Sequence, residues 1–308
     1  MLKQARNRFA LILFSLLLVS LVMLISRYPV QLVVQEKPLV PIKTKRPNMM
    51  PFTIGHRGAS LHAPENTLAA IDKAIALGFD YVELDVRYTS DDVPVLLHDS
   101  AVDRTTNGSG QIFNMSYANL QKLDAGSWYS EEFAGVRVPA LEDALVLMQG
   151  KVCVIWDVKA PPRKVAIDLF HKYNFTNGCM FVALPKLDKQ VFESGLRTLN
   201  QLWLNPPLLL KIKKLSSLPG ILEKYPGVKI LNVELHHAVP ELVDAVHAAG
   251  LPLYTRALPP RDNVNFYKLL VDAGVDGIML ENIEPFRKFL LEYSQQDGES
   301  DGYLKMNL

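Results

Sequence analysis

The sequence predicts an α/β protein: a (β/α)8 or TIM barrel over residues 51–293, with a small insertion after the second strand and one transmembrane helix before the domain. First, short runs of β-branched and apolar residues alternate with amphipathic helical stripes along this range. Secondly, eight of the predicted strands can be parallel if one short segment returns as a hairpin. Thirdly, ionisable residues directly follow several of these strands, at the end where such barrels carry their sites.

Composition limits the class of protein. The chain has 308 residues, which is enough for one large barrel or two ordinary domains. Its 49% hydrophobic and 21% charged residues are typical of a globular protein. The formal net charge of +1 leaves no strongly basic field, so a nucleic-acid partner is not indicated.

The N-terminal residues 9–25 are almost all apolar and lie at the short end for a membrane span. Lys3, Arg6 and Arg8 precede them, which favours a cytoplasmic N-terminus, although basic residues also follow the span and reduce the charge difference. No pair of small residues marks a cleavage site, so an uncleaved signal-anchor is favoured over a cleaved signal peptide. We therefore expect a single-pass, membrane-anchored protein whose main domain lies on the non-cytoplasmic side, in the periplasm or outside the cell.

The sequence divides into four segments on this interpretation. Residues 1–27 form the cytoplasmic N-terminus and the transmembrane signal-anchor. Residues 28–50 carry Pro38, Pro41 and Pro47 among basic and β-branched residues and are typical of an extended linker. The barrel domain occupies residues 51–293, and a polar tail occupies residues 294–308.

The barrel domain begins with a strand, a helix and a second strand. Residues 52–54 run into a turn flanked by Gly55 and Gly58, which let the backbone come close to a ligand. The next helix starts at residues 64–67, and Gly78 ends it. A crossover of this length suits two parallel strands.

The second strand carries Glu83 and Asp85, which share one face, whereas Leu84 and Val86 share the other. On a strand built for burial, two adjacent carboxylates repel one another and lose their water, and a bound divalent cation removes both costs. Taken alone, a solvated edge strand is the alternative. After a polar turn the chain returns to His98, which a hairpin would bring to the level of the two carboxylates.

Later strands are predicted from apolar runs that alternate with helical stripes. They are residues 152–158, 179–184, 201–204, 229–235, 252–257 and 277–280. Residues 208–215 are interpreted as an ordinary barrel helix, with a membrane-surface contact as the alternative. Cys153 and Cys179 lie inside strand-like runs and are interpreted as buried thiols, while pairing between neighbouring strands stays open.

A third carboxylate, Asp157, shares a strand face with Lys159. On a strand parallel to the Glu83 strand, Asp157 would complete a cation site. Lys159 would add a positive charge for an anionic ligand.

These residues lie in motifs that resemble the glycerophosphodiester phosphodiesterase family, whose related barrels include phosphatidylinositol-specific phospholipases C and sphingomyelinase D-type enzymes. The matching stretches are residues 56–60, 64–67, 83–86, 93–99, 103–108, 123–128, 138–142 and 274–278. They run in order through the whole barrel domain and are densest in its first half.

The resemblance implies a site of three functional groups: a general acid and base, ligands of one Ca²⁺ or Mg²⁺, and phosphate-binding residues. The general acid and base are His56 and His98, and the metal ligands are Glu83, Asp85 and Asp157. Arg57 and Lys159 bind the phosphate. The family usually has glutamate where this chain has Asp157. Residues 254–257 and 280–283 also depart from its motifs, which puts the substrate in question more than the reaction class.

The activity implied by the resemblance is metal-dependent hydrolysis of glycerophosphodiesters, which are small molecules, to an alcohol and glycerol 3-phosphate by general acid-base catalysis with two histidines. One alternative is a lysophospholipase D-type activity on lysophospholipids, near which a membrane anchor would place the enzyme. Another is a catalytically inactive binding barrel, against which the intact His56, His98, Glu83 and Asp85 argue.

Overall fold

The computed structural model describes residues 51–184, 189–203, 205–257 and 263–296. The predicted transmembrane segment 9–25, the linker 28–50 and the tail beyond residue 296 lie outside the described residues. Within the described ranges, every helix is too short or too polar to cross a bilayer.

Eight parallel strands close into a barrel, as the sequence predicts, and a ninth short strand runs antiparallel to the second. In chain order the strands are β1 (Phe52–Gly55), β2 (Tyr81–Tyr88), β3 (Pro94–Leu96), β4 (Cys153–Val158), β5 (Met180–Ala183), β6 (Leu208–Ile212), β7 (Val228–Val233), β8 (Leu253–Arg256) and β9 (Gly277–Leu280). The parallel strands pair with their neighbours in this order, β3 being left out, and β1 closes the barrel by pairing with both β2 and β9.

Helices cover the outside of the barrel between the strands, and one short helix, the second in chain order, lies in the insertion after the second barrel strand. They are α1 (Leu68–Ala76), α2 (Tyr117–Leu120), α3 (Leu141–Met148), α4 (Lys164–Lys172), α5 (Lys189–Leu202), α6 (Leu218–Lys224), α7 (Pro240–Ala248), α8 (Val264–Ala273) and α9 (Glu284–Gln296). The first helix begins where its motif predicts, because the Thr67 hydroxyl accepts a hydrogen bond from the Ala70 N–H and caps it.

An apolar plug fills the barrel, and the period of two along each strand places polar residues above it. The plug consists of Ile54, Tyr81, Ile155, Phe181, Leu209, Ile230, Tyr254 and Met279. The inward position two residues further along each strand is polar on seven of the eight strands, namely at His56, Glu83, Asp157, Lys211, Asn232, Arg256 and Glu281. We call these seven residues the mouth ring, because they lie at the carboxyl end of the barrel.

The predicted insertion after the second strand is present and has a small core of its own. Residues 98–138 contain α2 and two short 3₁₀ helices. Its buried residues pack together with β3 as a cluster separate from the barrel, formed by Val95, Leu97, Val102, Ile112, Leu120, Ala125 and Val138.

The predictions for residues 201–204 and 208–215 are wrong. Residues 201 and 202 end α5, and residue 204 lies outside the described residues. The fifth strand of the barrel is β6, inside the segment that the sequence predicts as a helix. Pro206 and Pro207 separate the two elements, because proline cannot continue a helix and favours extended backbone before it.

The prediction of two buried thiols is also wrong, because Cys153 and Cys179 form a disulfide with a Cα–Cα distance of 4.8 Å. Cys153 begins β4 and Cys179 directly precedes β5. These strands are parallel neighbours in which Val154 pairs with Met180, so the two preceding residues lie side by side.

Replacing both cysteines by alanine is expected to lower the free energy of unfolding by about 3 kcal/mol, because the bond closes a long loop in the unfolded chain. The two cysteines are 26 residues apart in the sequence. Urea denaturation with and without a thiol reductant measures this effect. Reductant should lower the stability of the native protein to that of the double variant and leave the variant unchanged, and equal stabilities without reductant would contradict this expectation.

Candidate active site

His56 and Arg57 lie in a tight turn directly after β1. The turn is held by Gly58, whose φ of 90° favours glycine and whose Cα approaches the backbone of Ala70 too closely for a side chain. Arg57 has a left-handed φ of 56°, and its backbone N–H donates to Glu83 Oε2 at 2.9 Å. The turn therefore fixes Arg57 and the buried His56 beside the carboxylates of β2.

The three predicted metal ligands converge at the mouth of the barrel. Ligand oxygens of Glu83, Asp85 and Asp157 all lie within 4.8 Å of one another, and all three residues are buried. Strand register explains this, because β2 and β4 are parallel neighbours and Asp85 pairs with Asp157. A side-chain hydrogen bond at 2.7 Å from Asn66 Nδ2 orients Asp85.

The electrostatics of this cluster are unbalanced without a cation. Burial raises the pKa of Glu83 well above its usual range, and the charges of Asp85 and Asp157 raise it further. Burial acts on Asp85 in the same direction, but Lys159 and Arg57 outweigh it and lower the pKa of that carboxyl. Glu83 is the ligand whose charged form most needs an additional positive charge.

These residues fit a hard divalent cation. Asp85 Oδ1 is buried and accepts no hydrogen bond from any described residue, although Lys159 Nζ lies 3.1 Å away. Three carboxylates offer the oxygen ligands that Ca²⁺ and Mg²⁺ prefer, and a cation would offset the repulsion at Glu83. Glu83, Asp85 and Asp157 would hold it.

The two predicted phosphate-binding residues contact the same carboxylates. Lys159 Nζ donates to Asp157 Oδ2 at 2.8 Å, and Arg57 Nε lies 3.3 Å from Asp85 Oδ2. Arg57 also donates to Glu65 at 2.8 Å through Nη1. Both positive charges therefore border the carboxylate cluster, where an anionic group bound beside the cation would meet them.

His98 returns to the level of the carboxylates, as the hairpin predicts. In β3 Leu96 pairs with Val86, and the Leu97 N–H donates to Asp85 O at 3.0 Å, so His98 lies opposite Leu84. Its Nδ1 lies 2.7 Å from Asp99 Oδ1. The backbone around His98 is fixed by Arg87, which donates to His98 O through Nε at 2.9 Å.

His56 also faces a carboxylate. Its Nδ1 lies 3.4 Å from Glu281 Oε1, across the seam between β1 and β9. Burial lowers the pKa of His56, and the contact with Glu281 only partly opposes this shift. The neutral imidazole is therefore favoured at neutral pH, with Nε2 left for a substrate.

Sequence reasoning missed a chain of ion pairs that connects Arg57 to His98. Glu65 binds Arg57 and also accepts two hydrogen bonds from Arg104, at 2.8 and 2.9 Å. Arg104 Nε in turn donates to Asp99 Oδ2 at 2.6 Å, and Asp99 holds His98. These residues lie in four stretches that match the family motifs, but the motifs alone do not say that the stretches meet.

Fold and site together define a phosphoric diester hydrolase built on a (β/α)8 barrel. Residues 56–192 match the sequence profile of the glycerophosphoryl diester phosphodiesterase family. The glycerophosphodiester phosphodiesterase of Caldanaerobacter subterraneus subsp. tengcongensis is 30% identical over 248 residues, which cover 77% of this chain and 96% of that protein. The chain belongs to the glycerophosphodiester phosphodiesterase family, which confirms the family predicted from the sequence.

Other relatives agree with this assignment. Mouse glycerophosphodiester phosphodiesterase 1 is 34% identical over 175 residues, which cover 54% of this chain and 52% of that protein. The crystal structure of a glycerophosphodiester phosphodiesterase from Agrobacterium tumefaciens has a TM-score of 0.68 and 26% identity, and covers 78% of this chain and 100% of that chain. An Oleispira antarctica phosphodiesterase in complex with the product sn-glycerol-3-phosphate has the same TM-score at 24% identity, and covers 78% of this chain and 97% of that chain.

Proposed function

We propose that the protein hydrolyses glycerophosphodiesters to an alcohol and glycerol 3-phosphate with one bound Ca²⁺ or Mg²⁺. The observation that carries this proposal is the convergence of three buried carboxylates at the barrel mouth, bordered by Arg57 and Lys159. The product named in the Oleispira antarctica structure supports the same reaction for this chain.

Each residue has a defined task in the first step of the proposed reaction. The divalent cation, when bound, supplies Lewis-acid stabilisation of charge on the phosphoryl oxygens. Arg57 and Lys159 hold the phosphate by charge-assisted hydrogen bonds. His56 is the first base, because burial favours its neutral form, and His98 beside Asp99 is the acid.

The reaction has two steps whose atoms balance. In the first step, a glycerol hydroxyl two carbons from the ester oxygen attacks phosphorus, and His56 takes the proton of this hydroxyl. The bond between phosphorus and the oxygen of the leaving alcohol breaks, and His98 protonates the leaving oxygen. Water then opens the resulting cyclic phosphate. His98 takes the proton of water, and His56 returns its proton to the glycerol hydroxyl, which gives glycerol 3-phosphate.

A cavity beside Lys159 favours one second candidate, a lysophospholipase D-type activity. The cavity has a volume of about 350 Å³, and its lining combines the charged Arg87, Lys159 and Arg163 with Tyr88, Ile112, Phe113 and Pro161. An apolar wall next to a phosphate-binding lysine could receive the acyl chain of a lysophospholipid.

One assay separates these candidates: hydrolysis of glycerophosphodiesters and lysophospholipids by the metal-depleted protein as Ca²⁺ or Mg²⁺ is added back. The proposal expects metal-dependent release of glycerol 3-phosphate from glycerophosphodiesters. Preferred hydrolysis of lysophospholipids would support the second candidate. A protein that hydrolyses neither substrate class with either metal would be an inactive barrel, and the proposed function would be wrong.

We also propose that residues 9–25 anchor the protein in a membrane, with the barrel on the non-cytoplasmic side. The apolar run and the basic residues before it support the anchor. The disulfide between Cys153 and Cys179 supports the orientation, because such bonds persist in oxidising compartments and are rare in the cytosol.

Protease added to intact cells, or to spheroplasts of a cell with an outer membrane, is expected to digest the barrel domain while a cytoplasmic marker protein stays whole. In parallel, alkylation before and after reduction should find Cys153 and Cys179 protected until the disulfide is reduced. A domain that resists protease until the membrane is broken, with both thiols free, would show the opposite orientation.

A further inference from the structure

Six of the seven residues of the mouth ring form two groups of different chemistry, and the seventh, Glu281, faces His56. The group on β1, β2 and β4 carries His56, Glu83 and Asp157, which have tasks in the proposed reaction. The group on β6, β7 and β8 carries hydrogen-bond donors, namely Lys211, Asn232 and Arg256. The proposed phosphodiester chemistry uses none of these donors.

Two of the three donors have unmet hydrogen-bonding capacity. Within the described ranges, Asn232 Nδ2 and Arg256 Nε are both buried and have no hydrogen-bond partner. Asn232 is only 7% exposed, and it pairs with Tyr254 on β8, two residues before Arg256. Lys211 differs from them because it is ion-paired with Glu234. A buried donor without an acceptor costs free energy that a ligand with acceptor oxygens would recover.

Arg256 keeps its charge in this position. Burial lowers the pKa of Arg256, but Tyr254 and the carboxylates of Glu83, Asp157 and Glu234 raise it on balance. No carboxylate of a described residue forms an ion pair with Arg256, although several act on it from a distance. The guanidinium is therefore a charged fork at the barrel mouth against which no carboxylate of the described ranges lies.

We propose that Arg256 and Asn232 form a second anion-binding subsite that holds a carboxylate on the alcohol part of the substrate. The inference rests on the proposed function, in which Arg57, Lys159 and the cation hold the phosphodiester itself. One guanidinium beside one amide suits two carboxylate oxygens. A phosphate dianion would need a second free positive charge, and Lys211 is already neutralised by Glu234.

Glycerophosphoserine and glycerophosphoethanolamine test this proposal, because they share the ammonium group and differ only in one carboxylate. Calorimetry on the full chain in detergent, carrying His98→Ala to prevent turnover and saturated with Ca²⁺, measures both dissociation constants. We expect glycerophosphoserine to bind about ten- to a hundredfold more tightly. Adding Arg256→Met should remove this preference and leave the affinity for glycerophosphoethanolamine nearly unchanged.

The matched control is Arg287→Met, which removes an arginine that donates to Gly78 O at the opposite end of the barrel. It should keep the preference. If Arg256→Met does not fold, Arg256→Lys decides, and it should weaken glycerophosphoserine binding alone. Equal affinities in the starting protein, or equal losses for both ligands in the Arg256 variant, would overturn the subsite. A kept preference without turnover of either substrate by the native protein would instead contradict the proposed function.

Discussion

Asp85→Asn is expected to lower kcat/KM by roughly a thousandfold, because the variant would lose the proposed cation, which would supply several kcal/mol of transition-state stabilisation. Asp85 lies within 4.8 Å of the other two carboxylates, and its Oδ1 accepts no hydrogen bond from the described residues, so asparagine keeps the shape while removing the charge. Calorimetric titration with Ca²⁺ and Mg²⁺ should show lost metal binding, and circular dichroism should show an intact fold.

The matched control is Asp80→Asn, which changes a carboxylate just before the same strand that accepts hydrogen bonds from Thr53 at 2.8 and 2.9 Å. This site lies at the opposite end of the barrel, so metal binding and kcat should stay the same even if stability falls slightly.

Asp157→Glu, which restores the ligand usual in the family, should keep activity with a changed preference between the two metals. Full activity of the Asp85 variant in excess chelator would disprove the metal site.

The sequence predicts the carboxylate cluster because strand periodicity is local. Glu83 and Asp85 share a face by the period of two, and the short return to His98 fixes its level once the turn is a hairpin. The parallel order of β2 and β4 then brings Asp157 to Asp85. Nothing more than local geometry and the order of elements is needed for this part of the site.

The sixth strand shows where local reasoning fails. Leu208, Leu209 and Leu210 precede Lys211 and Ile212, and leucine and lysine are good helix formers. A short apolar run does not separate a helical period from a buried strand. The gap between β5 and β7 in the closed sheet, a property of the whole barrel, makes this segment a strand.

Side-chain partners between distant segments are the other part that sequence reasoning could not reach. Glu65 and Arg104 are 39 residues apart, and their contact depends on how the insertion folds back over α1. The disulfide likewise depends on the register between β4 and β5, which composition does not give. The Arg256 position could be recognised only as a departure from the family motif, because its unmet hydrogen-bonding capacity is a property of its surroundings.

His56→Ala and His98→Ala are each expected to lower kcat/KM by about 10²- to 10⁴-fold, the usual contribution of a general acid or base. The double variant should be little worse than either single variant, because the two groups serve one proton-transfer cycle. His171→Ala is the control, since His171 lies on α4 and packs edge-on against Trp203 outside the barrel. Steady-state kinetics on a glycerophosphodiester at saturating metal measures all four variants.

The pH profile of kcat/KM should be bell-shaped, because the first step needs one neutral and one protonated imidazole, and its limbs report the pair. Its acidic limb should lie below the ordinary histidine pKa of about 6.5, since burial lowers the pKa of His56 and the base therefore stays neutral down to a lower pH. A p-nitrophenyl ester of glycerol 3-phosphate, whose leaving group needs no proton, should then restore much of the activity of His98→Ala and little of that of His56→Ala. Only a residue that protonates the leaving oxygen becomes dispensable when that oxygen leaves unprotonated. Rescue of His56→Ala alone would therefore exchange the two roles. An identical response of both variants would refute the division into acid and base.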